Sequence, residues 1–228
     1  MKKIYTILLI DADMTLLDFE RSEKKALQKT FKHFGIEPAK EATALYHKIN
    51  SGYWKMLEEG RVSKEELVYL RYKDLIEKMG LGLNHRECED YYQYSLGQEA
   101  YTMKDAREVC HYLGERYDLY IVTNGISSTQ YSRMKKSGLD VYFKDIFVSE
   151  DTGYQKPMVE YFDYVFDRIG EVDKDEVLII GDSLSSDIQG GINAGVDTCW
   201  FNYKKEERKI DIEPDYVITE LKELELFL

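Results

Sequence analysis

The chain is poor in cysteine and proline, and it has no long apolar stretch. Its three cysteines, Cys88, Cys110 and Cys199, are far apart and form no C-x-x-C pair, so neither a disulfide framework nor a zinc knuckle is suggested. We interpret them as reduced thiols of a cytoplasmic protein. With only 3 prolines and 43% hydrophobic residues among 228, the composition is that of a folded protein with one large domain or two unequal ones.

Basic residues are outnumbered by acidic ones, which gives a formal net charge of -12. We therefore expect no nucleic acid polymer and no anionic membrane as partner, because both need a broad basic face. A small phosphate monoester needs only a few local donors and a metal. The apolar start at 4–10 is too short for a signal peptide and predicts a buried strand, and no stretch approaches the ~18 apolar residues of a membrane span.

Short, almost continuous apolar runs recur along the chain, and each ends where polar or glycine residues begin. Such runs are typical of strands covered on both faces, as in a parallel sheet. The predicted strands are 4–10, 119–122, 146–148, 177–180 and 198–201. Helical patterns at about 105–116, 127–136, 157–169 and 187–194 lie between them. This alternation predicts an α/β fold with a Rossmann-like parallel sheet.

The segment 18–96 has helical spacing throughout and contains no convincing strand. Within it, Ser63 and Glu66 have the spacing of a capping box, which marks the start of a helix. We therefore predict an inserted, all-helical domain at residues 18–97. The α/β core is then formed by residues 1–17 and 98–228.

Four groups of polar residues follow predicted strands, at the edge of the sheet where ligands bind in open α/β proteins. Asp11 and Asp13 come directly after the first strand. Two carboxylates in this position repel each other and lose water, and a divalent cation or a shared proton would offset that cost. The alternative is that both are ordinary turn or helix-capping residues.

The second and third groups have the residue types of an anion site. Thr123-Asn124-Gly125 leads into a helix, where a hydroxyl and free backbone amides bind anions, although an ordinary helix cap is the alternative. Lys156 precedes Pro157, which biases it towards an extended conformation. Its ammonium would offset the charge of a carboxylate or phosphoryl group, whereas a lone lysine is usually a surface residue.

The fourth group contains Asp182 and Asp187, which follow the predicted strand 177–180. They would bring two more carboxylates to the same edge of the sheet. Four converging carboxylates without a cation would be electrostatically untenable, so the sequence predicts a site with oxygen ligands for Mg²⁺.

In this order, the groups resemble the four motifs of the haloacid dehalogenase superfamily. The matching residues are Asp11-x-Asp13-x-Thr15, Thr123, Lys156, and Asp182 with Asp187. The resemblance implies that Asp11 is the nucleophile, which forms an aspartyl-phosphate, and that Asp13 is the general acid and base.

The resemblance also implies the binding roles. Thr123 and the backbone amide of Asn124 would hold the phosphoryl oxygens, and Lys156 would neutralise charge around them. The implied Mg²⁺ ligands are Asp11, the backbone carbonyl of Asp13, and Asp182, with Asp187 behind them or connected through water.

The helical insertion resembles the small cap of this superfamily, where substrate selectivity is expected. The candidates for substrate contact are Tyr53, Trp54, Lys55 and Arg61. The alternative places Trp54 in the core of the cap, and Lys55 and Arg61 on its surface.

The chain as a whole, and 190–200 in particular, resembles the subfamily of bacterial pyrimidine 5′-nucleotidases. This implies a Mg²⁺-dependent phosphatase for nucleoside 5′-monophosphates. Dehalogenation is disfavoured because dehalogenases of the superfamily lack the aspartate found here as Asp13. A sugar-phosphate phosphatase, a phosphoglucomutase-type phosphotransferase and a non-catalytic protein that binds a phospho-ligand stay open. The choice between a monomer and a homodimer is also open.

Overall fold

The structure is a computed structural model that describes residues 3–208 and 210–228, so residues 1, 2 and 209 of the predicted core lie outside the described part. The described chain forms two compact units. One contains the residues up to Phe19 together with Ala100–Leu228, and the other is Glu20–Glu99. These limits fall within about two residues of the predicted ones, and the roles of the units as catalytic core and cap stay predictions.

Six strands form a single parallel sheet in the order β3-β2-β1-β4-β5-β6. They are β1 Ile7–Ile10, β2 Asp118–Thr123, β3 Asp145–Val148, β4 Val177–Gly181, β5 Asp197–Phe201 and β6 Tyr216–Ile218. Nine α-helices of the described residues accompany them: α1 Phe19–Phe34, α2 Ala39–Glu58, α3 Lys64–Lys78, α4 His85–Gly97, α5 Ala106–Gly114, α6 Ser127–Ser137, α7 Ser149–Thr152, α8 Val159–Ile169 and α9 Gln189–Ala194. This architecture confirms the predicted Rossmann-like α/β fold.

The central strands are apolar throughout because helices cover both faces of the sheet. Leu8 and Ile10 of β1 pack on one face with α5, and Ile7 and Leu9 pack on the other with α8. The register pairs Ile10 with a residue of β2 on one side and of β4 on the other. The loops that follow β1, β2 and β4 therefore start side by side at one edge of the sheet.

Three details differ from the sequence prediction. β1 begins at Ile7, because Ile4 is 75% exposed and has no buried surface to gain from the sheet. α8 begins at Val159, because Gln155 and Met158 close a turn with a backbone hydrogen bond of 2.8 Å. The predicted helix from 187 begins as a π-helical turn, Leu184–Ile188, which leads into α9.

The helical unit contains α1 to α4 and has a polar core. The predicted capping box is confirmed: the Ser63 hydroxyl accepts from the Glu66 backbone amide and the Glu66 side chain accepts from the Ser63 amide. Arg71 is buried and donates to Glu89 through Nε at 2.9 Å. Three completely buried tyrosines pack against one another beside this ion pair: Tyr46, Tyr72 and Tyr92. Within the described ranges, no helix combines the length and the hydropathy that crossing a bilayer requires.

Candidate active site

The loop after β1 begins with Asp11, which is only 6% exposed. Its backbone amide still follows the sheet and donates to the Ile180 carbonyl at 2.9 Å. Lys156 Nζ donates to Asp11 Oδ1 at 2.7 Å, and Thr15 Oγ1 donates to Asp11 Oδ2 at 3.3 Å. The Asp11 carboxylate therefore has a fixed orientation at the end of a central strand and a positive charge beside it.

Lys156 is buried and uses its ammonium to connect three parts of the sheet edge. Besides Asp11, its Nζ donates to Asp187 Oδ1 at 2.6 Å and to the Val122 carbonyl at 2.7 Å. The Asn124 side chain positions the Lys156 backbone, since it accepts from the Lys156 amide and donates to the Lys156 carbonyl, both at 2.9 Å. Burial alone would lower the pKa of Lys156, but the two carboxylates outweigh it and raise that pKa above its ordinary value. The lysine is thus held as a cation.

The carboxylates of Asp11, Asp182 and Asp187 form an acidic group. Each offers one oxygen, and these three oxygens lie within 4.8 Å of one another. Asp187 has both oxygens engaged, because Oδ1 accepts from Lys156 and Oδ2 accepts from the backbone amide of Ser183 at 3.0 Å. This arrangement suits Asp187 to a supporting position behind Asp11 and Asp182.

The backbone around the acidic group leaves little free space. A Cβ on Gly181 would lie 2.2 Å from Asp187 Oδ2, so only glycine lets the end of β4 approach this carboxylate so closely. On the other side, Trp200 Nε1 of β5 donates to the Asp182 carbonyl at 2.8 Å. These contacts hold the loop that carries Asp182 and Asp187 against the sheet.

The electrostatics of the acidic group favour a bound cation. Burial raises the pKa of Asp11 to about 7, because it outweighs the opposing effect of Lys156. Burial, with the negative charges of Asp11 and Asp187, raises the pKa of Asp182 to about 9. Three carboxylates face one ammonium, so full ionisation would leave two excess negative charges. A divalent cation with oxygen ligands would offset both charges and replace the bound protons, so the residues present fit Mg²⁺.

The Asp13 carboxylate lies against α6. Gln130 Nε2 donates to Asp13 Oδ2 at 3.0 Å, and Arg133 Nη1 donates to Asp13 Oδ1. Gln130 Nε2 also donates to Thr123 Oγ1 at 2.8 Å, which links the first predicted motif to the second. Both carboxylate oxygens of Asp13 are thus hydrogen-bonded to α6. Its predicted role as a metal ligand concerns only its backbone carbonyl.

The space beside Gly125 holds a side chain of the protein itself. The sequence analysis placed this glycine in the predicted anion site, directly after Thr123 and Asn124. A Cβ on Gly125 would instead lie 2.4 Å from Gln130 Cγ, so the glycine makes room for Gln130.

The four selectivity candidates lie in the helical unit. The Tyr53 hydroxyl donates to Asp74 Oδ2 at 3.1 Å, and Tyr53 lines a cavity of about 360 Å³ between α2 and α3. Trp54 is half-buried, while Lys55 and Arg61 are exposed. Arg61 pairs with Glu59 at 2.9 Å, and Lys55 Nζ lies 3.9 Å from the same residue. Their part in substrate selection stays a prediction.

Sequence reasoning missed Gln130 and Arg133, which it treated only as part of a crossover helix. A signal was present, because the two residues are three apart and therefore share one face of α6, just after the predicted anion site. It also missed the hydrogen bond from Thr15 to Asp11, since it named Thr15 only as the last residue of the first motif.

A parallel α/β sheet with an acidic group at its carboxyl edge and a helical insertion after the first strand defines a hydrolase of the haloacid dehalogenase type. The profile of the haloacid dehalogenase-like hydrolase family matches residues 8–201, and the chain belongs to this family. The resemblance inferred from the four motifs, and the prediction of an enzyme, are thereby confirmed.

Three relatives match almost the whole chain. The HAD-hydrolase YfnB of Bacillus subtilis is 44% identical over 97% of this chain and 94% of its own length. The pyrimidine 5′-nucleotidase PynA of Streptococcus pneumoniae is 38% identical over 96% and 93%, and YjjG of Escherichia coli, also a pyrimidine 5′-nucleotidase, is 29% identical over 97% and 96%. A crystal structure of YfnB bound to magnesium matches this structure with a TM-score of 0.92, over 97% of each chain.

Proposed function

We propose that this protein is a Mg²⁺-dependent phosphatase that hydrolyses nucleoside 5′-monophosphates with a pyrimidine base through a phosphoryl group carried on Asp11. The observation that carries the chemistry is the position of the Asp11 carboxylate, buried at the end of β1, bonded to the Lys156 ammonium and next to Asp182 and Asp187. Magnesium in the YfnB crystal structure supports the cofactor, and the activities of PynA and YjjG support the substrate class.

In the first half-reaction, an oxygen of Asp11 attacks the phosphorus atom and the ester oxygen leaves. Asp13 gives its proton to the leaving alcohol, so the nucleoside departs as a neutral molecule. Thr123 and the backbone amide of Asn124 bind the phosphoryl oxygens, and Lys156 offsets the charge that gathers around Asp11. The product of this step is the aspartyl-phosphate.

In the second half-reaction, water attacks the phosphorus of the aspartyl-phosphate. Asp13, now a carboxylate, takes a proton from that water, and the bond between phosphorus and Asp11 breaks. Phosphate is released, and both aspartates return to their initial states. Asp11, the Asp13 carbonyl and Asp182 would hold the Mg²⁺ ion, with Asp187 behind them; when bound, the ion supplies positive charge for the carboxylates and the phosphoryl group.

Substrate turnover and trapping of the phosphoenzyme test this proposal. We expect phosphate release from pyrimidine nucleoside monophosphates to exceed that from purine nucleotides and sugar phosphates, and a chelator to abolish it. Asp11→Asn should lower kcat by at least about 10³-fold, because an amide is a poor nucleophile. Asp163→Asn, an exposed change on α8, is the matched control and should keep full activity.

Each part of the proposal has its own refuting result. Mass spectrometry after an acid quench should find a phosphoryl group on the peptide that contains Asp11, and its presence on another residue would reject the nucleophile. A sugar phosphate that is isomerised with little phosphate released would replace the nucleotidase by a mutase. Binding of phosphate esters without turnover of any of them would replace the enzyme by a binding protein.

A further inference from the structure

Two side chains of α6, Gln130 and Arg133, together hold both oxygens of Asp13. Gln130 Nε2 donates to Oδ2 at 3.0 Å, and Arg133 Nη1 donates to Oδ1. The two side chains also bond to each other, since Arg133 Nη1 donates to Gln130 Oε1 at 3.0 Å. A carboxylate with both oxygens engaged by a single helix has little freedom to rotate.

Both α6 side chains are buried, although the carboxylate that they hold is not. Gln130 is 2% exposed and Arg133 is completely buried, whereas 28% of the Asp13 side chain is exposed. Burying a guanidinium is costly unless a charge compensates it, and Asp13 supplies that charge as a carboxylate, the form that the proposed mechanism gives it after the first half-reaction. The ring of Phe19 adds a second contact, with the Arg133 guanidinium 5.5 Å from its centroid. The partly exposed Asp13 carboxylate is therefore oriented by two side chains that are themselves buried and inaccessible to solvent.

Gln130 also determines how Thr123 presents its hydroxyl. The amide that bonds to Asp13 donates to Thr123 Oγ1 at 2.8 Å, so this hydroxyl acts as an acceptor towards Gln130. A hydroxyl has a single proton, and that proton is then directed to a different acceptor. Gly125 permits this arrangement, because a Cβ there would lie 2.4 Å from Gln130 Cγ.

From these contacts we infer that Gln130 and Arg133 are positioning residues: they orient Asp13 for proton transfer to the leaving alcohol, and Gln130 couples that orientation to the Thr123 hydroxyl. This inference rests on the proposed function, because it assigns the two residues to the same reaction. Neither of them needs to contact the substrate. Their effect should depend on how much the leaving group needs a proton.

The leaving group provides the test. A nucleoside 5′-monophosphate releases an alkoxide unless it is protonated, whereas p-nitrophenyl phosphate releases a phenolate that is stable without a proton. The value of kcat/KM covers only the steps up to release of that group, so hydrolysis of the aspartyl-phosphate does not affect it. We therefore divide kcat/KM for the nucleotide by kcat/KM for p-nitrophenyl phosphate and compare this ratio between the wild type and each variant. A uniform loss of phosphate binding cancels in this ratio.

We expect Gln130→Met and Arg133→Met each to lower the ratio by about 10-fold or more, as part of the 10²–10⁴-fold that a positioned acid contributes. Arg133→Lys, which keeps a positive charge, should recover part of it. Asp13→Asn should lower the ratio further. Lys136→Met, on the exposed face of the same helix, is the matched control and should leave the ratio unchanged. Melting temperatures identify any variant that fails to fold, and Gln130→Met, which removes no charge, tests the inference if Arg133→Met is unstable.

The outcomes separate this inference from the proposed function. If the wild type hydrolyses neither ester, the proposed function is wrong. If Asp13→Asn lowers the ratio but the two α6 variants lower both kcat/KM values equally or not at all, the positioning role is wrong and the proposed function stands. If Asp13→Asn itself leaves the ratio unchanged, Asp13 is not the leaving-group acid; the positioning role and the proton transfer assigned to Asp13 are then wrong, while hydrolysis through Asp11 still stands.

Discussion

Replacing Lys156 with methionine should destabilise the protein strongly. The Lys156 side chain is 1% exposed, and its ammonium donates to two carboxylates, Asp11 and Asp187, and to the Val122 carbonyl. Methionine has a similar length and no charge, so the variant keeps the volume and loses the three hydrogen bonds. It leaves two buried carboxylates with no ammonium beside them.

The magnitude follows from the cost of breaking a buried ion pair. Removing one partner costs about 3–5 kcal/mol, because the remaining charge stays buried without compensation. For a chain of this size, each kcal/mol lowers the melting temperature by about 2–4 °C, so the expected loss is about 6–20 °C. Lys156→Met/Asp187→Asn should be more stable than the single variant, because it has one buried charge less.

The loss should also depend on pH in a defined direction. Burial places the pKa of Asp11 at about 7 even beside the lysine, and removing the ammonium raises it further. A folded-state pKa above the unfolded value gives stability that is fully present below the unfolded pKa and is lost as the pH rises through the folded one. Between the unfolded pKa of about 3.8 and about 7, Asp11 stays protonated in both folded proteins, so the deficit of Lys156→Met that is due to Asp11 should grow as the pH rises above about 7, where only the wild-type carboxyl ionises.

Thermal unfolding in the presence of a chelator, followed by circular dichroism from acidic to mildly alkaline pH, measures this deficit. The chelator matters because a bound cation would compensate the same carboxylates. A loss below about 1 kcal/mol at neutral pH would refute the reasoning, since a buried pair cannot be removed so cheaply. So would a deficit that does not grow when the pH is raised above about 7.

Three further predictions concern other parts of the molecule. Gly181→Ala should lower the free energy of unfolding in urea by about 1–3 kcal/mol, because its Cβ would lie 2.2 Å from Asp187 Oδ2. Gly52→Ala, in α2 with open space around it, should raise the same free energy by about 0.5–1 kcal/mol. The three buried cysteines should not react with a thiol reagent near neutral pH until the protein is unfolded, because burial raises their pKa values and blocks access; rapid labelling of the native protein would contradict this. Mg²⁺ should raise the melting temperature of the wild type and much less that of Asp182→Asn, and an equal rise in both would remove Asp182 from the predicted metal ligands.

The sheet could be predicted because its strands are buried on both faces. β1, β2, β4 and β5 read as continuous apolar runs, and this pattern depends only on local composition. β6 was missed because it is three residues long and its middle residue, Val217, is 52% exposed. Its pairing with β5 is a tertiary event that leaves no periodicity in so short a segment.

The site was only partly predictable, for a related physical reason. Asp11 and Asp182 directly follow β1 and β4, and Thr123 is the last residue of β2, so a parallel sheet brings these three together whatever the packing of its helices. The contact of Gln130 with Asp13 spans more than a hundred residues and depends on how α6 lies against the loop after β1. That docking is set by side-chain packing, which the spacing of residues along the sequence does not encode.

The different roles proposed for Asp11 and Asp13 follow from their different surroundings, although only one residue separates them. Met14, directly after Asp13, adopts a left-handed conformation with φ of 62°. Its backbone amide donates to the Leu17 carbonyl at 2.8 Å and closes a tight turn. Asp11 stays buried beside a lysine and two more carboxylates, where a bound cation would keep it ionised and ready to attack. Asp13 lies partly in solvent, held by Gln130 and Arg133, where it can exchange a proton with an alcohol or with water. Under the proposed mechanism, these separate environments would let one carboxylate act as the nucleophile and the other as the acid–base catalyst, which identical surroundings would prevent.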